Sequence, residues 1–225
     1  MPTRRSYHDV MKRADDANRN YRQLVAEGYD RCAPAFNAAR SLEPPTELGL
    51  LIERLRPGAR VLDLGCGAGV PITRALAERF RVTGVDVSPG QLALAREQAP
   101  SATFLQRDMM GCDFAPESFD AVVSFYAIFH LPREEHEALF RRIHGWLRPG
   151  GLLLATLAMT DESAYTEEFF DVEMYWSHYG VDEYRTMLER TGFVVLESGV
   201  LRHGYDDDAA KPEQHPIVLA RKRES

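Results

Sequence analysis

The sequence predicts an α/β fold, an open and mostly parallel sheet with helices on both of its faces. Two observations predict this class. Short β-branched runs alternate with helical patterns along the 225 residues, and such alternation produces right-handed βαβ crossovers. The first five runs are mostly apolar on both faces, as strands buried between two helical layers are. A chain of this length can also bury the core that such a sheet requires.

Seven runs have the length and composition of β-strands. In chain order they are 60–64 (RVLDL), 81–86 (RVTGVD), 102–106 (ATFLQ), 120–125 (DAVVSF), 152–157 (LLLATL), 193–201 (FVVLESGVL) and 216–221 (PIVLAR). The last two have no helical pattern between them. We therefore expect an antiparallel hairpin at one edge of the sheet.

The helical patterns between the strands begin and end at recognisable capping residues. In SPGQLALAREQ, Ser88 precedes Pro89, and Gln91 completes a capping box with the serine. A later helix is expected to begin at Asp182 and to end at Gly192. The remaining helical patterns cover 46–55, 70–80 and 133–147.

Two segments fall outside this alternation and are the expected cap over the sheet. Residues 1–45 precede the first strand and are partly helical, with the best helical pattern at 20–31. Residues 158–180 follow the fifth strand, and most of them form an aromatic-rich stretch without a clean period. We expect an irregular lid there, and we expect residues 1–225 to form one domain.

The bulk composition narrows the possible partners. A net charge of −7 argues against a nucleic-acid surface, since nucleic-acid affinity depends mainly on Lys and Arg. The cysteines (Cys32, Cys66 and Cys112) form no C-x-x-C pair, which indicates reduced thiols and a cytoplasmic location. No apolar run approaches a membrane span, and the N-terminus lacks the apolar core of a signal peptide. We expect a monomer or homodimer without membrane or nucleic-acid partners.

The glycine-rich loop after the first strand is the candidate ligand site. Glycines at 65, 67 and 69 allow backbone to approach a ligand closely and to adopt positive φ. A dinucleotide loop has the spacing G-x-G-x-x-G and holds a pyrophosphate at a helix N-terminus. Here the spacing is G-x-G-x-G, and Asp63 just before the loop would repel a pyrophosphate. The sequence therefore favours a positively charged nucleoside.

Carboxylates stand at the ends of three successive strands. Besides Asp63, Asp86 ends the second strand, where a carboxylate can accept both ribose hydroxyls. Asp108 follows the third strand, where it can accept a hydrogen bond from an adenine amino group. A single acid at such a position is most often solvated, but three together indicate a nucleoside site. An acid at the position of Asp86 also occurs in NAD sites, so an NAD-dependent oxidoreductase remains an alternative.

The motifs VLDLGCGAG, VTGVDVSPGQLALAREQ, ATFLQRDMM, FDAVVSFYAIFHLP and LRPGGLLLAT resemble those of the class I S-adenosylmethionine-dependent methyltransferases. They span about residues 58–157 in the family's order and spacing. The resemblance implies a Rossmann-like, seven-stranded sheet of order 3-2-1-4-5-7-6 with its last strand antiparallel. It also implies S-adenosylmethionine as cofactor, S-adenosylhomocysteine as product, and in-line methyl transfer to a small-molecule acceptor without a metal.

The same resemblance implies which residues hold the cofactor. The backbone of Gly65, Cys66 and Gly67 would pass under the methionine moiety, with Asp63 near its ammonium group. Asp86 would bind the ribose. The remaining residues implied are Val87 on the adenine face, Asp108 and the Met109 amide at the adenine edge, Ser124 and Phe125 on the sulfonium side, Gln91, and Tyr29 (or Tyr21) over the methionine end.

His130, in YAIFHLP, is the candidate general base, because it lies just beyond the fourth strand and imidazole titrates near neutrality. The alternative is that His130 only packs against or caps the helix that starts at Pro132. Tyr126 is the second catalytic candidate, and it forms the expected pocket floor with Phe129. The candidate substrate residues in the aromatic stretch are Tyr175, Trp176 and His178.

This chain lacks the motifs that are typical of several methyltransferase subclasses. Amino-methylating DNA enzymes resemble one another in an Asp/Asn-Pro-Pro-aromatic box after the fourth strand, where this chain reads SFYAIF. Cytosine-C5 enzymes need a Cys after a Pro, and catechol-type enzymes place a metal-binding Asp where Ser124 stands. A tRNA or rRNA methyltransferase is disfavoured by the charge. A non-catalytic cofactor-binding protein remains a further alternative.

Overall fold

The computed structural model describes residues 21–202 and 214–224. Its strands are β1 (Arg60–Leu64), β2 (Arg81–Asp86), β3 (Thr103–Gln106), β4 (Phe119–Ser124), β5 (Leu147–Thr156), β6 (Glu162–Phe169), β7 (Val172–His178), β8 (Phe193–Leu201) and β9 (His215–Lys222). Seven of them form one sheet of order β3-β2-β1-β4-β5-β9-β8, in which β9 runs antiparallel to β5 and β8. Counted along the chain, β8 and β9 are the sixth and seventh strands of that sheet, so the predicted order 3-2-1-4-5-7-6 is confirmed.

The helices are α1 (Tyr21–Ala39), α2 (Leu48–Ile52), α3 (Ile72–Ala77), α4 (Pro89–Gln98), α5 (Arg133–Trp146) and α6 (Val181–Arg190), with 3-10 turns at Met109–Gly111 and Ile128–His130. None of the helices in the described ranges is both long and apolar enough to cross a membrane. Period-two alternation along the strands sorts the core into two layers. In β4, Val122 packs with α5 and α6, whereas Ala121 and Val123 pack with α2 and α3.

The capping predictions hold only in part. The Ser88 hydroxyl accepts the Gln91 backbone N–H at 3.0 Å and so caps α4. The Gln91 side chain does not complete a capping box, because its Oε1 accepts from Asn37 instead. The prediction that Asp182 caps α6 is wrong, since the N-cap is Gly180 and Asp182 lies in the first turn.

The aromatic stretch is a hairpin, which corrects the expectation of an irregular lid. Strands β6 and β7 pair antiparallel outside the main sheet, with Tyr165 opposite Trp176. One hairpin face packs on α1, where Met174 meets Val25. Tyr175 hides the alternation in the sequence, because it places a large apolar ring on the face opposite Met174 and Trp176.

Helix α1 lies across the carboxyl ends of the strands, and the side chains of Asp30 and Asn37 attach it to α4. The carboxylate of Asp30 accepts the Ser88 hydroxyl at 2.5 Å and the Gly90 N–H at 2.9 Å. Since the hairpin packs on the same helix, α1 and the hairpin together cover the edge of the sheet that carries the glycine loop.

Candidate active site

The glycine loop presents bare backbone to a cavity at the carboxyl ends of the strands. Gly65 and Gly67 have φ values of +75° and +52°, in the left-handed region that side chains disfavour. A Cβ on Gly65 would lie 2.2 Å from the Cβ of Ala127, so that position is closed to any side chain. A Cβ on Gly67 would meet only Gln91 Oε1, at 3.9 Å. The space over Gly67 is therefore available to a ligand.

This first cavity gathers almost every residue expected to bind the cofactor. Helix α1 covers it, and the loops after β1, β2, β3 and β4 form its base. The lining includes both catalytic candidates and every predicted cofactor residue except Ser124: Tyr29, Asp63, Gly65, Cys66, Gly67, Asp86, Val87, Gln91, Asp108, Met109, Phe125, Tyr126 and His130.

Ser124 does not face the first cavity, contrary to the sequence expectation. Its side chain is fully buried at the end of β4, and its hydroxyl donates to the backbone carbonyl of Leu64 at 2.9 Å. The hydroxyl therefore links β4 to the end of β1. Only Phe125, the next residue along the chain, reaches the cavity.

Asp63 is a desolvated carboxyl group at the base of the cavity. It is 1% exposed, and the Thr73 hydroxyl donates to its Oδ2 at 2.6 Å. Burial raises the pKa of Asp63 to about 7, and the nearby Asp86 carboxylate adds to this increase, while the hydrogen bond from Thr73 opposes it. A carboxyl group in these surroundings is stabilised in its charged form by a cation, such as the ammonium group of an amino acid.

Asp86 is held by the backbone on both of its oxygens. Oδ2 accepts the Gly67 N–H at 2.8 Å, and Oδ1 accepts the Ser88 N–H at 2.9 Å. Burial raises the pKa of Asp86, while these N–H groups lower it. A carboxylate has about four lone-pair positions, so two remain for the hydroxyls of a ribose.

The Asp108 carboxylate forms an ion pair with Arg22, a residue that the sequence analysis did not select. Its Oδ1 accepts the Met110 N–H at 2.8 Å, and its Oδ2 contacts the Arg22 guanidinium of α1. Arg22 also donates to both oxygens of Glu135, at 3.1 and 2.8 Å. Arg22 and Asp108 are far apart in the chain, and no local pattern links them, so only the fold reveals the pair. The Asp108 carboxylate keeps acceptor capacity for one further donor.

Gln91 carries a buried donor that lacks a protein partner. The side chain is 1% exposed and lines the first cavity, and its Oε1 accepts from Asn37 at 3.1 Å. Its Nε2 has no hydrogen-bond partner among the described residues. A buried unpaired donor is costly, and an acceptor on a bound ligand would satisfy it. Together with the open space over Gly67 and the desolvated Asp63, this group fits a polar, cationic nucleoside.

His130 and Tyr29 form a hydrogen-bonded pair at the outer end of the first cavity. The carbonyl of Tyr175 lies 2.7 Å from Nδ1 of His130 and can only accept, so Nδ1 carries the proton. The lone pair of Nε2 then accepts the Tyr29 hydroxyl at 2.9 Å. Burial lowers the pKa of His130 to about 4, below the near-neutral value expected from the sequence. The imidazole is therefore neutral at neutral pH.

A second cavity of about 420 Å³ adjoins the first. The residues that line both are Tyr29, Phe36, Arg40, Tyr126 and His130. The predicted substrate residues Phe129, Trp176 and His178 line the second cavity. Its volume falls within the range of small-molecule pockets.

Tyr175 is the predicted substrate residue that the structure places elsewhere. Successive residues of a strand point to opposite faces, so Tyr175 points away from the face that carries Trp176. Its ring lies 5.3 Å from the ring of Tyr21, and it lines neither cavity. Its contribution to the site is the backbone carbonyl that orients His130.

The described residues contain no group of three or more His, Cys, Asp or Glu side chains placed to hold a metal ion. The three cysteines are free and buried. Burial raises the pKa of the Cys66 thiol, and the Asp86 and Asp63 carboxylates raise it further. Cys66 is therefore a protonated, small loop residue.

The chain is similar in sequence to known methyltransferases. Residues 61–151 match the model of a methyltransferase domain. Carboxy-S-adenosyl-L-methionine synthase of Chromohalobacter salexigens is 35% identical over 164 residues, which are 63% of this chain and 58% of that protein. Phosphoethanolamine N-methyltransferase 3 of Arabidopsis thaliana is 30% identical over 181 residues, 77% of this chain and 35% of that protein. The chain thus spans less than two thirds of either relative.

Solved structures agree on the fold. The Burkholderia thailandensis 1,6-didemethyltoxoflavin-N1-methyltransferase, with bound 1,6-didemethyltoxoflavin and S-adenosylhomocysteine, is 20% identical and superimposes with a TM-score of 0.68. The match covers 90% of this chain and 87% of that one. Residues 61–151 thus carry a methyltransferase domain, and in relatives and sheet order the chain is similar to the class I S-adenosylmethionine-dependent methyltransferases.

Proposed function

We propose that this protein transfers a methyl group from S-adenosylmethionine to a small-molecule acceptor. One observation carries the proposal: a cavity suited to a cationic nucleoside adjoins a second, aromatic cavity, and the two share Tyr29, Tyr126 and His130. A donor in the first cavity and an acceptor in the second would then meet at these side chains.

The residues of the first cavity divide the binding of the cofactor between them. Asp63 would pair with its ammonium group, Asp86 would accept the ribose hydroxyls, and Asp108 with the Met109 amide would bind the adenine edge. The unpaired Nε2 of Gln91 would donate a hydrogen bond to an acceptor on the cofactor. When bound, the cofactor supplies a methyl group activated by a sulfonium.

The protein's main contribution to an in-line displacement is positioning. Holding two reactants in line and excluding water supplies about 7–11 kcal/mol in well-oriented systems. Helix α1 and the β6–β7 hairpin cover the junction of the cavities and would exclude water. An acceptor that arrives protonated also needs a base. The neutral Nε2 of His130 can take that proton directly or through the Tyr29 hydroxyl.

Several broader features belong to the same proposal. Residues 21–45 and 158–180 would act as cap and lid of one domain, and the rest of the predicted cap, residues 1–20, lies outside the described residues. Free, buried cysteines fit a reducing cytoplasm, and a net charge of −7 fits free small molecules better than nucleic acid. The protein would act as a monomer or homodimer.

Transfer of a labelled methyl group tests the proposal. The protein is incubated with S-adenosylmethionine tritiated on the methyl group and a panel of phenols, carboxylic acids and amines. We expect label in a small-molecule product that forms only with enzyme and acceptor together. Cofactor binding without turnover on any member of the panel would instead identify a non-catalytic binding protein.

A further inference from the structure

We propose that Asn37 of α1 is a positioning residue for the cofactor, because it fixes the side-chain amide of Gln91 so that the amide offers its donor group to the first cavity. This inference rests on the proposed function, which makes the first cavity the site of S-adenosylmethionine. It adds a residue of the covering helix that acts on the cofactor through a side chain of α4.

The backbone of α1 sets the orientation of the Asn37 amide. Nδ2 of Asn37 donates to the carbonyl of Ala33, one turn earlier in the helix, at 2.7 Å. A backbone carbonyl can only accept, so the NH2 group of Asn37 must face it, since the reversed amide would bring two oxygens together. The second hydrogen of the same NH2 group is directed to the side chain of Gln91 at 3.1 Å. Asn37 therefore offers Gln91 a donor and not an acceptor.

The orientation of the Gln91 amide follows from this donor. Only an oxygen can accept from Asn37, so Gln91 uses Oε1 there and its Nε2 is left for another partner. The residue is 1% exposed, and Nε2 has no hydrogen-bond partner among the described residues. A buried N–H without an acceptor is costly. Since Gln91 lines the first cavity, a ligand bound there can supply the acceptor.

A donor at this point complements the acids beside it. Oε1 of Gln91 lies 3.9 Å from the position that a Cβ on Gly67 would take, and the Gly67 N–H already donates to Asp86 at 2.8 Å. The carboxylates of Asp63 and Asp86, once ionised, offer a ligand only acceptors. S-adenosylmethionine carries hydroxyl and carboxylate oxygens as well as an ammonium group, so it also needs donors. Nε2 of Gln91 supplies one to an oxygen of the cofactor.

Calorimetric titration with S-adenosylhomocysteine through a double-mutant cycle tests this role. The cycle consists of the wild type, Asn37→Leu, Gln91→Met and the double variant, in which apolar side chains of similar size replace the two amides. Asn37→Asp is added because it keeps the shape of the side chain but cannot donate to Gln91. The Tm of each unliganded variant is measured first. Gln91→Met removes a buried, unpaired donor, so its Tm should not fall below that of the wild type.

The matched controls are two carboxamides on the same helices that line neither cavity. Gln23 is an exposed residue of α1 whose amide donates to Glu27 at 2.7 Å. Gln98 is the last residue of α4. Gln23→Met and Gln98→Met should both bind S-adenosylhomocysteine as tightly as the wild type does.

We expect Asn37→Leu and Gln91→Met each to weaken the binding of S-adenosylhomocysteine about 3- to 10-fold, the effect of one neutral hydrogen bond. The double variant should bind no more weakly than Gln91→Met alone, because Asn37 acts through Gln91. Asn37→Asp should lose as much affinity as Asn37→Leu. A residue that only attaches α1 would weaken binding by the same factor with or without the Gln91 amide.

Wild-type affinity in Asn37→Asp or in Gln91→Met, or losses that multiply in the double variant, would overturn this inference and leave the proposed function intact. If S-adenosylhomocysteine did not bind to the wild type, the proposed function would fail, and the role of Asn37 would fail with it. The titration of the wild type therefore separates the two failures.

Discussion

At the scale of single residues, the site is built from polar groups whose surroundings determine their protonation. Asp63 has its pKa raised to about 7 by burial, and His130 has its pKa lowered to about 4 by burial. The carboxyl group therefore titrates near neutral pH, whereas the imidazole does not. The sequence suggested both residues, but it contained no information on these pKa values, because desolvation depends on the packing around each group.

Thr73 keeps Asp63 in a form that can bind an ammonium group. The pKa of the folded protein's Asp63 is raised, so the proton must leave before a cation binds, and affinity should rise as pH increases toward and past 7. Thr73→Val removes the hydrogen bond that opposes the increase in pKa. We expect this variant to bind S-adenosylhomocysteine more weakly at pH 7 and to need a higher pH for full affinity.

Calorimetry between pH 5.5 and 8 measures this effect. For a group that must lose one proton, affinity below its pKa falls about tenfold per pH unit. Thr73→Ser should behave like the wild type, since it keeps the hydroxyl, and Asp63→Asn should bind weakly at every pH in this range. A pH profile that Thr73→Val does not shift would show that the hydroxyl does not influence Asp63.

His130 should affect turnover rather than cofactor affinity. With a pKa near 4, the imidazole is in its basic form throughout pH 6–9. Its own titration should therefore cause no change in kcat across that range. His130→Gln keeps hydrogen-bonding groups beside Tyr29 and Tyr175 but removes the base. We expect kcat to fall about 100-fold or more for a protonated acceptor.

His144→Gln is the matched control for this variant, because His144 packs against Phe193 and lines neither cavity. Its kcat and its affinity for S-adenosylhomocysteine should equal those of the wild type. If His130→Gln retained wild-type kcat on an acceptor that must be deprotonated, His130 would have only a packing role.

At the scale of elements, sequence periodicity identified the strands and helices that have a local pattern. It missed the features that depend on contacts between elements. The alternation of buried runs predicted the seven strands of the main sheet, and Ser88 predicted the start of α4. The β6–β7 hairpin was missed because Tyr175 interrupts its alternation, and the cap at Asp182 was wrong because Gly180 takes that place. The pairing of Arg22 with Asp108 joins elements that no local pattern connects.

Asp30 makes two of the hydrogen bonds that attach helix α1 to the start of α4, and Asn37 makes a further one to Gln91. Asp30→Ala leaves the Gly90 N–H and the Ser88 hydroxyl without their acceptor. The loss of a charged acceptor costs about 1.5–3 kcal/mol, so amide hydrogen exchange in α1 should become at least about tenfold faster, while β1 and β4 stay protected. Glu27→Ala is the control, an exposed residue of α1 that pairs with Gln23. Unchanged exchange in α1 would mean that its packing on the hairpin suffices.

At the scale of the whole molecule, the sheet brings three acidic strand ends to one edge and places α1 over them. This convergence was predictable, because the carboxyl ends of parallel strands meet at one edge of an α/β sheet. The division into two adjoining cavities could not be predicted, since the second cavity is lined by the hairpin and by residues at the start of β9. Arg40 and Phe36 lie at the C-terminal end of α1, and only the fold places them in both cavities.

The central claim is that the first cavity binds the sulfonium nucleoside rather than a dinucleotide. Thermal unfolding of the wild type and of Asp86→Ala, each with S-adenosylhomocysteine and with NAD in parallel, tests it most directly. The account predicts that S-adenosylhomocysteine raises the Tm of the wild type, that NAD does not, and that Asp86→Ala loses most of the increase. Stabilisation by NAD alone would contradict the interpretation of the glycine loop and of Asp63, and it would point to hydride transfer instead.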